Sequence, residues 1–124
     1  MTSTKTDYQA VHQVMQQYVD ASRNAEVSVL KDIFHPNAIM PGYVEDDLWI
    51  GGPEPYFEEL ASRPSLAASG ADYRAVITAI EVTGRVASAA LKETNMFGMD
   101  YTDYFHLLKE NGKWRIISKT YTSE

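Results

Sequence analysis

Asn111-Gly112 lies between two β-prone runs, and no other dipeptide signals a tight antiparallel hairpin as strongly, because both residues tolerate the positive φ of a type I′ turn. If these two residues form the loop, Glu110 pairs with Lys113, Leu107 with Ile116, Phe105 with Ser118 and Asp103 with Thr120. One side of the hairpin then carries Tyr101, Asp103, Phe105, Leu107, Trp114 and Ile116. The other carries Thr102, Tyr104, His106, Arg115, Ile117, Lys119 and Tyr121. The first side is the more apolar and is expected to face a core. Gly84-Arg85 sets up a second hairpin, which groups Val76, Thr78, Ile80 and Val82 with Ala87, Ala89, Leu91 and Glu93. Its reverse holds Ala75, Ile77, Ala79, Glu81, Ser88, Ala90 and Lys92, small enough for another sheet to approach. With a turn at Gly98, the pattern predicts a meander of four strands over 73–82, 86–95, 99–109 and 114–121.

Upstream the period changes from two to nearly four. Thr6-Asp7-Tyr8-Gln9 fits a capping box, and Val11, Val14, Met15, Tyr18 and Ser22 follow on one face, which predicts a helix over 7–23. Val27, Leu30, Ile33 and Phe34 continue as a short second helix ending near His35, since Pro36 pushes the residue before it out of the α region. Short β-prone pieces follow over 38–43 and 48–50. Gly51-Gly52-Pro53 opens a third short helix, with Pro53 at the first helical position and Tyr56, Phe57, Leu60 and Ala61 as its apolar face. Helices gathered on one face of an antiparallel sheet make an α+β domain, and 124 residues suffice for one such domain, 1–124, with a core of its own.

Composition removes several function classes. Eleven Lys and Arg against 17 Asp and Glu leave a net charge of −6, which repels phosphate backbones, so no nucleic-acid partner is expected. No apolar run approaches a membrane span, and residues 1–5 precede no apolar leader, so the expected setting is the cytoplasm with no membrane contact. The chain has no Cys, which excludes thiol catalysis and thiolate metal sites. No His pair has the spacing of a helical metal motif, and neither a metal nor another cofactor is expected.

The candidate chemistry lies at the Gly98 end of the meander. A tight turn there brings Asn95 near Tyr101 and Glu93 near Asp103, so that two carboxyls share the rim of an apolar cup. A carboxyl against apolar walls beside a like charge has its pKa raised, as a general acid or base requires. The alternative is that either group bonds a backbone atom or a Tyr hydroxyl, or stands in water. His35 is a second candidate for proton transfer, although at a helix end it can equally bond the last carbonyls. Tyr18, Phe34, Met40, Tyr43, Trp49, Tyr56, Tyr101, Phe105 and Trp114 are the expected ligand-binding set, because such side chains around an irregular mouth suit a small apolar or aromatic ligand.

Two stretches, Asp32 to Ala38 and Asp103 to Lys119, resemble the nuclear transport factor 2-like superfamily, the cone-shaped fold of ketosteroid isomerase, scytalone dehydratase and the polyketide cyclases. The second stretch is similar to a small bacterial family described as "putative lumazine-binding". The resemblance implies a cone-shaped roll with three N-terminal helices on the concave face of a curved antiparallel sheet, and a deep pocket between them. It also implies a homodimer through the convex face, here expected to include Ala79, Ala90, Tyr104, His106, Ile117 and Lys119. Ketosteroid isomerases carry a base on the first strand, where this chain has Ala38-Ile39-Met40. Asp103 and Tyr18 match their two hydrogen-bond donors instead. The function expected is small-molecule binding, with a cofactor-independent isomerase, dehydratase or cyclase acting on an enolisable carbonyl compound as the alternative. In that alternative Asp103, His35 and Tyr18 form the catalytic set, and a partner-binding module is the third class.

Overall fold

The Thr6 side chain accepts a hydrogen bond from the Gln9 backbone N–H at 3.1 Å, and the Gln9 side chain accepts one from Thr6 N–H at 3.0 Å, so the capping box forms as read. The computed structural model describes residues 6–124. The leader reading made for residues 1–5 therefore lies outside the described residues. Helix α1 (Asp7–Asn24) buries Val11, Val14, Met15, Tyr18, Val19, Ala21 and Ser22. Helix α2 (Val27–Ile33) buries Leu30 and Ile33, and the chain turns at once into strand β1 (Phe34–Ile39). The second helix thus ends two residues before the expected His35. Pro36 lies inside a strand, and β1 pairs with its neighbour only at Phe34 and Ile39, the pair being irregular between them. Strands β2 (Gly42–Val44) and β3 (Asp47–Trp49) form a small hairpin, followed by helix α3 (Glu54–Ala61). Pro53 caps α3 rather than occupying its first position, and Pro55 takes the first-turn place that needs no N–H.

Strands β4 (Arg74–Thr83), β5 (Val86–Met96), β6 (Met99–Glu110) and β7 (Lys113–Ser123) form the expected meander. The described residues make one sheet ordered β3-β2-β7-β6-β5-β4, with β1 also paired to β7. One edge of β7 is therefore shared, by β1 at Ile116 and Ser118 and by β2 at Tyr121 and Thr122, both in parallel. At Gly42 the β2 backbone passes so close to Tyr121 that a Cβ would collide with its carbonyl oxygen and ring, and only glycine fits. The fold is α+β, three helices on a curved, unclosed sheet. Its core joins Val11, Met15, Leu30, Ile33 and Phe34 to Leu91, Phe105, Leu107, Trp114 and Ile116.

Two register shifts change the faces from those read in the sequence. The β6–β7 pairing holds from Glu110↔Lys113 to Leu107↔Ile116, but the next pair is His106↔Ser118. Ile117 is the extra residue of a bulge, and every later β7 side chain changes sides. Lys119 pairs with Phe105 and Tyr121 with Asp103, which corrects the assignment of Lys119 to the convex face. In β4 the same happens at Thr78: Ala79 pairs with Ala90 but Ile77 with Leu91 and Ala75 with Glu93. Ile77 and Ala75 therefore share the helix-facing side, while Val76 is left exposed on the other.

Candidate functional site

The concave face is closed by α1 and α2 over one half only. Beyond them lies a cavity of about 510 Å³, bounded by the β2–β3 hairpin, α3 and the β5–β6 turn. Its apolar wall comes from Met40, Trp49, Ile50, Met96, Phe97 and Met99, with the rings of Tyr56, Tyr101 and Tyr121. The β5–β6 loop is Phe97-Gly98, with Met96 paired to Met99, and both loop residues have positive φ, 52° and 88°. That conformation is costly for Phe97. The Arg63 guanidinium stacks on its ring at 4.2 Å and is itself held by Glu59 at 3.2 Å.

Two ionisable side chains of the lining are buried, Glu93 and Lys119, and Asp103 is buried behind Lys119; none of the three is more than 4% exposed. Lys119 Nζ donates to the Tyr18 hydroxyl at 2.5 Å, lies 3.7 Å from Asp103 Oδ2, and sits 4.8–5.1 Å from the ring centres of Tyr18, Tyr56 and Tyr121. Such rings hold a cation by their quadrupoles. Glu93 Oε2 accepts from the Tyr73 hydroxyl at 2.5 Å. Neither Asp103 oxygen accepts a hydrogen bond among the described residues. Burial therefore pushes the Asp103 carboxyl well above the usual carboxylate range; Lys119 opposes this and the Glu93 charge adds to it. Burial also raises the Tyr18, Tyr56, Tyr73, Tyr101 and Tyr121 phenols, so all keep their protons as donors at neutral pH.

The structure divides the expected site residues into three groups. Met40, Trp49, Tyr56 and Tyr101 line the cavity, and Tyr18 stands directly behind Lys119. Phe34, Phe105 and Trp114 belong to the packed core instead: Phe34 lies edge-on to Phe57, Phe105 lies edge-on to Tyr18, and the Trp114 indole N–H bonds Asp7 at 3.1 Å. Tyr43 and His35 lie outside the cavity. His35 is not at a helix end but on β1, with Nε2 3.3 Å from Glu110 at the opposite end of β6 from Tyr101. It is not brought together with Asp103. Glu93 pairs with Tyr101 rather than Asp103, but it remains on the same face and close enough to raise the Asp103 pKa. Sequence reasoning missed Lys119 and Tyr121, both hidden by the Ile117 bulge. The adjacent Ile116-Ile117 pair, which breaks the alternation, is the one local trace of it. Among the described residues no cluster of His, Asp and Glu is arranged to hold a metal ion.

The family model described as "Putative lumazine-binding" matches residues 6–122. The chain belongs to this family. Its member here has the nuclear transport factor 2-like fold, as the solved structures similar to it show. A protein of that type and of unknown function from Shewanella baltica OS155 has a TM-score of 0.83 at 28% identity, covering 100% of this chain and 98% of that one. A second, from Methylobacillus flagellatus KT, has a TM-score of 0.85 at 26% identity, covering 99% and 96%. A ketosteroid isomerase-like protein from Erwinia carotovora atroseptica shares the fold alone, with a TM-score of 0.69 at 14% identity over 97% and 98% of the two chains. A curated relative, "Aldolase FrzH" from a Cladobotryum species, is 31% identical over 121 residues, 97% of this chain and 94% of that protein. No helix among the described residues is long and apolar enough to cross a membrane.

Proposed function

We infer that this family member binds a small, partly aromatic carbonyl compound in the cup and converts it to an enolate or its equivalent, the nucleophile of an aldol-type carbon–carbon bond. The observation that carries this reading is that a carboxyl and a lysine, Glu93 and Lys119, are both buried and both line one largely apolar cavity. Glu93 is the base: Tyr73 orients one oxygen, and the side chain lines the cavity. Lys119 faces the carbonyl end with the phenol of Tyr121, the Tyr56 hydroxyl being given to Ser22 at 2.8 Å, and donors held in a dry site act far more strongly than in water. The name of the similar aldolase supports this direction, and an isomerase, dehydratase or cyclase would need the same first step. Glu93 supplies the base that the apolar first strand lacks. Asp103, as the buried acid, and Tyr18 act on Lys119 from behind, while His35 has no part in this reading.

The test begins with a thermal-shift screen of pterins, flavins, steroids and polyketide-like aromatic ketones. A ligand at one hundred times its Kd raises stability by about 2.7 kcal/mol. Each binder is then followed by NMR in deuterated water for exchange of protons α to its carbonyl. Exchange by wild type that disappears in Glu93→Gln supports the reading, whereas tight binding without exchange would make this a binding protein, as the family description suggests.

We further infer a homodimer through the convex face, which exposes Val76, Val86 and Tyr104. Light scattering at micromolar concentration should give twice the chain mass; a monomer would overturn the assignment.

A further inference from the structure

Lys119 has a combination of features that holding a charge in place does not require. Its amine is almost fully buried, yet it lines an open cavity large enough for a small organic molecule. It lies against the Tyr18 phenol, in a pocket that Glu93 also lines. The described lysines Lys31, Lys92, Lys109 and Lys113 are at least partly exposed. Lys92, Lys109 and Lys113 are spent on polar contacts, with Thr102, Asp7 and Asp32 respectively.

We propose that Lys119 is a covalent nucleophile, forming an iminium with the carbonyl carbon of a ketone or aldehyde bound in the cup. This deepens the enolate reading and rests on it. Nζ, as the free amine, adds to the carbonyl carbon, and the C=O π pair moves to oxygen, which takes up a proton. The carbinolamine then expels that oxygen as water, so that the ammonium and the carbonyl together become one iminium and one water with no change in total charge. Glu93 removes an α-proton, the C–H pair becomes the new C=C bond and the C=N π pair returns to nitrogen, giving an enamine. The enamine carbon attacks a second carbonyl, whose oxygen takes a proton, and water cleaves the resulting iminium to free the lysine.

The site favours each stage. Tyr18, whose oxygen accepts from Nζ at 2.5 Å, keeps its own O–H free to hydrogen-bond the carbinolamine oxygen. The rings of Tyr18, Tyr56 and Tyr121 surround the place where ammonium and iminium alternate, so one cage serves both cations. Asp103, which has no hydrogen-bond donor and lies 3.7 Å away, takes the proton that Nζ gives up, holds it as the buried acid, and returns it to the leaving oxygen.

The experiment uses 2,4-pentanedione, a diketone that captures a reactive amine as a conjugated enaminone with loss of one water. Intact-mass measurement and peptide mapping of the folded chain should find one adduct, on Lys119, formed at least roughly tenfold faster than on the exposed Lys31. The preference should vanish when the chain is unfolded. Adducts on the exposed lysines with none on Lys119 would overturn the proposal, as would reaction at Lys119 only after unfolding. The second arm is Lys119→Arg, checked for folding by circular dichroism. It keeps the cation but cannot form the iminium, so α-proton exchange should fall by about a hundredfold or more. Exchange that survives in Lys119→Arg shows that charge alone suffices, which refutes the covalent step and leaves the enolate reading in place. Absence of exchange in wild type removes the enolate reading instead, whatever the diketone labels.

Discussion

The two halves of the concave face are built by the same strands and end in opposite states. Towards the Asn111-Gly112 turn, Leu107, Trp114 and Ile116 lie under α1 and α2 and are almost wholly buried in apolar company. Towards the Phe97-Gly98 turn, the alternation delivers Glu93 and Tyr101, and the Ile117 bulge brings Lys119 and Tyr121 with them, to a cavity roofed by α3 and the β2–β3 hairpin. Alternation decides which side chains point inward. What they meet there depends on where the helices stop. The closed half carries stability, and the open half holds charged groups whose desolvation costs stability but makes them chemically useful.

Mutations in the two halves should therefore separate along different axes. Leu107→Ala opens a void in the closed half and should cost about 2–5 kcal/mol in urea unfolding, with the fold of the surviving native protein intact. A loss below about 1 kcal/mol would show that this half is not well packed. Lys119→Met in the open half should do the reverse: α-proton exchange falls by about 10²–10³-fold, while stability holds or rises, because an apolar side chain replaces a buried ion. Large destabilisation with exchange preserved would erase the distinction between the halves.

Asp103 lies where the halves meet, and its effect should depend on pH. Because the folded-state pKa is raised above the unfolded value of about 3.9, the folded chain binds the proton more tightly. Its contribution is complete below that value and is lost as pH rises through the folded-state pKa. Asp103→Asn cannot titrate, so it should be more stable relative to wild type at pH 7 than at pH 4 in urea unfolding at the two pH values. Equal differences at the two pH values would mean that Asp103 titrates as an ordinary carboxylic acid. The smallest effect is expected at the mouth. Trp49 is 56% exposed, and Trp49→Ala should change stability by no more than about 0.5 kcal/mol while weakening ligands found in the thermal-shift screen. Unchanged affinity would place the ligand deeper than the mouth.

The sequence by itself determined the capped first helix, the order of helices and meander, the turns at Gly84-Arg85 and Asn111-Gly112 and one near Gly98, and the side of the sheet that holds Phe105, Leu107 and Ile116, but it read two short strands where the structure has three. These follow from local rules: the period of apolar residues, the φ each turn residue tolerates, and the residue before proline. It also placed Glu93 and Asp103 on one face at one end, but opposite each other, where the structure pairs Glu93 with Tyr101 and Asp103 with Leu91. The tertiary structure alone decided what Lys119 is. A bulge at Ile117 costs little and is only faintly marked by its neighbours, yet one extra residue turns every side chain after it to the other face, taking Lys119 and Tyr121 from the outer surface to the floor of the cavity. Tertiary packing likewise withdrew Trp114 to Asp7 and His35 to Glu110, because whether an aromatic or imidazole group lines a cavity or fills a core depends on what packs above it.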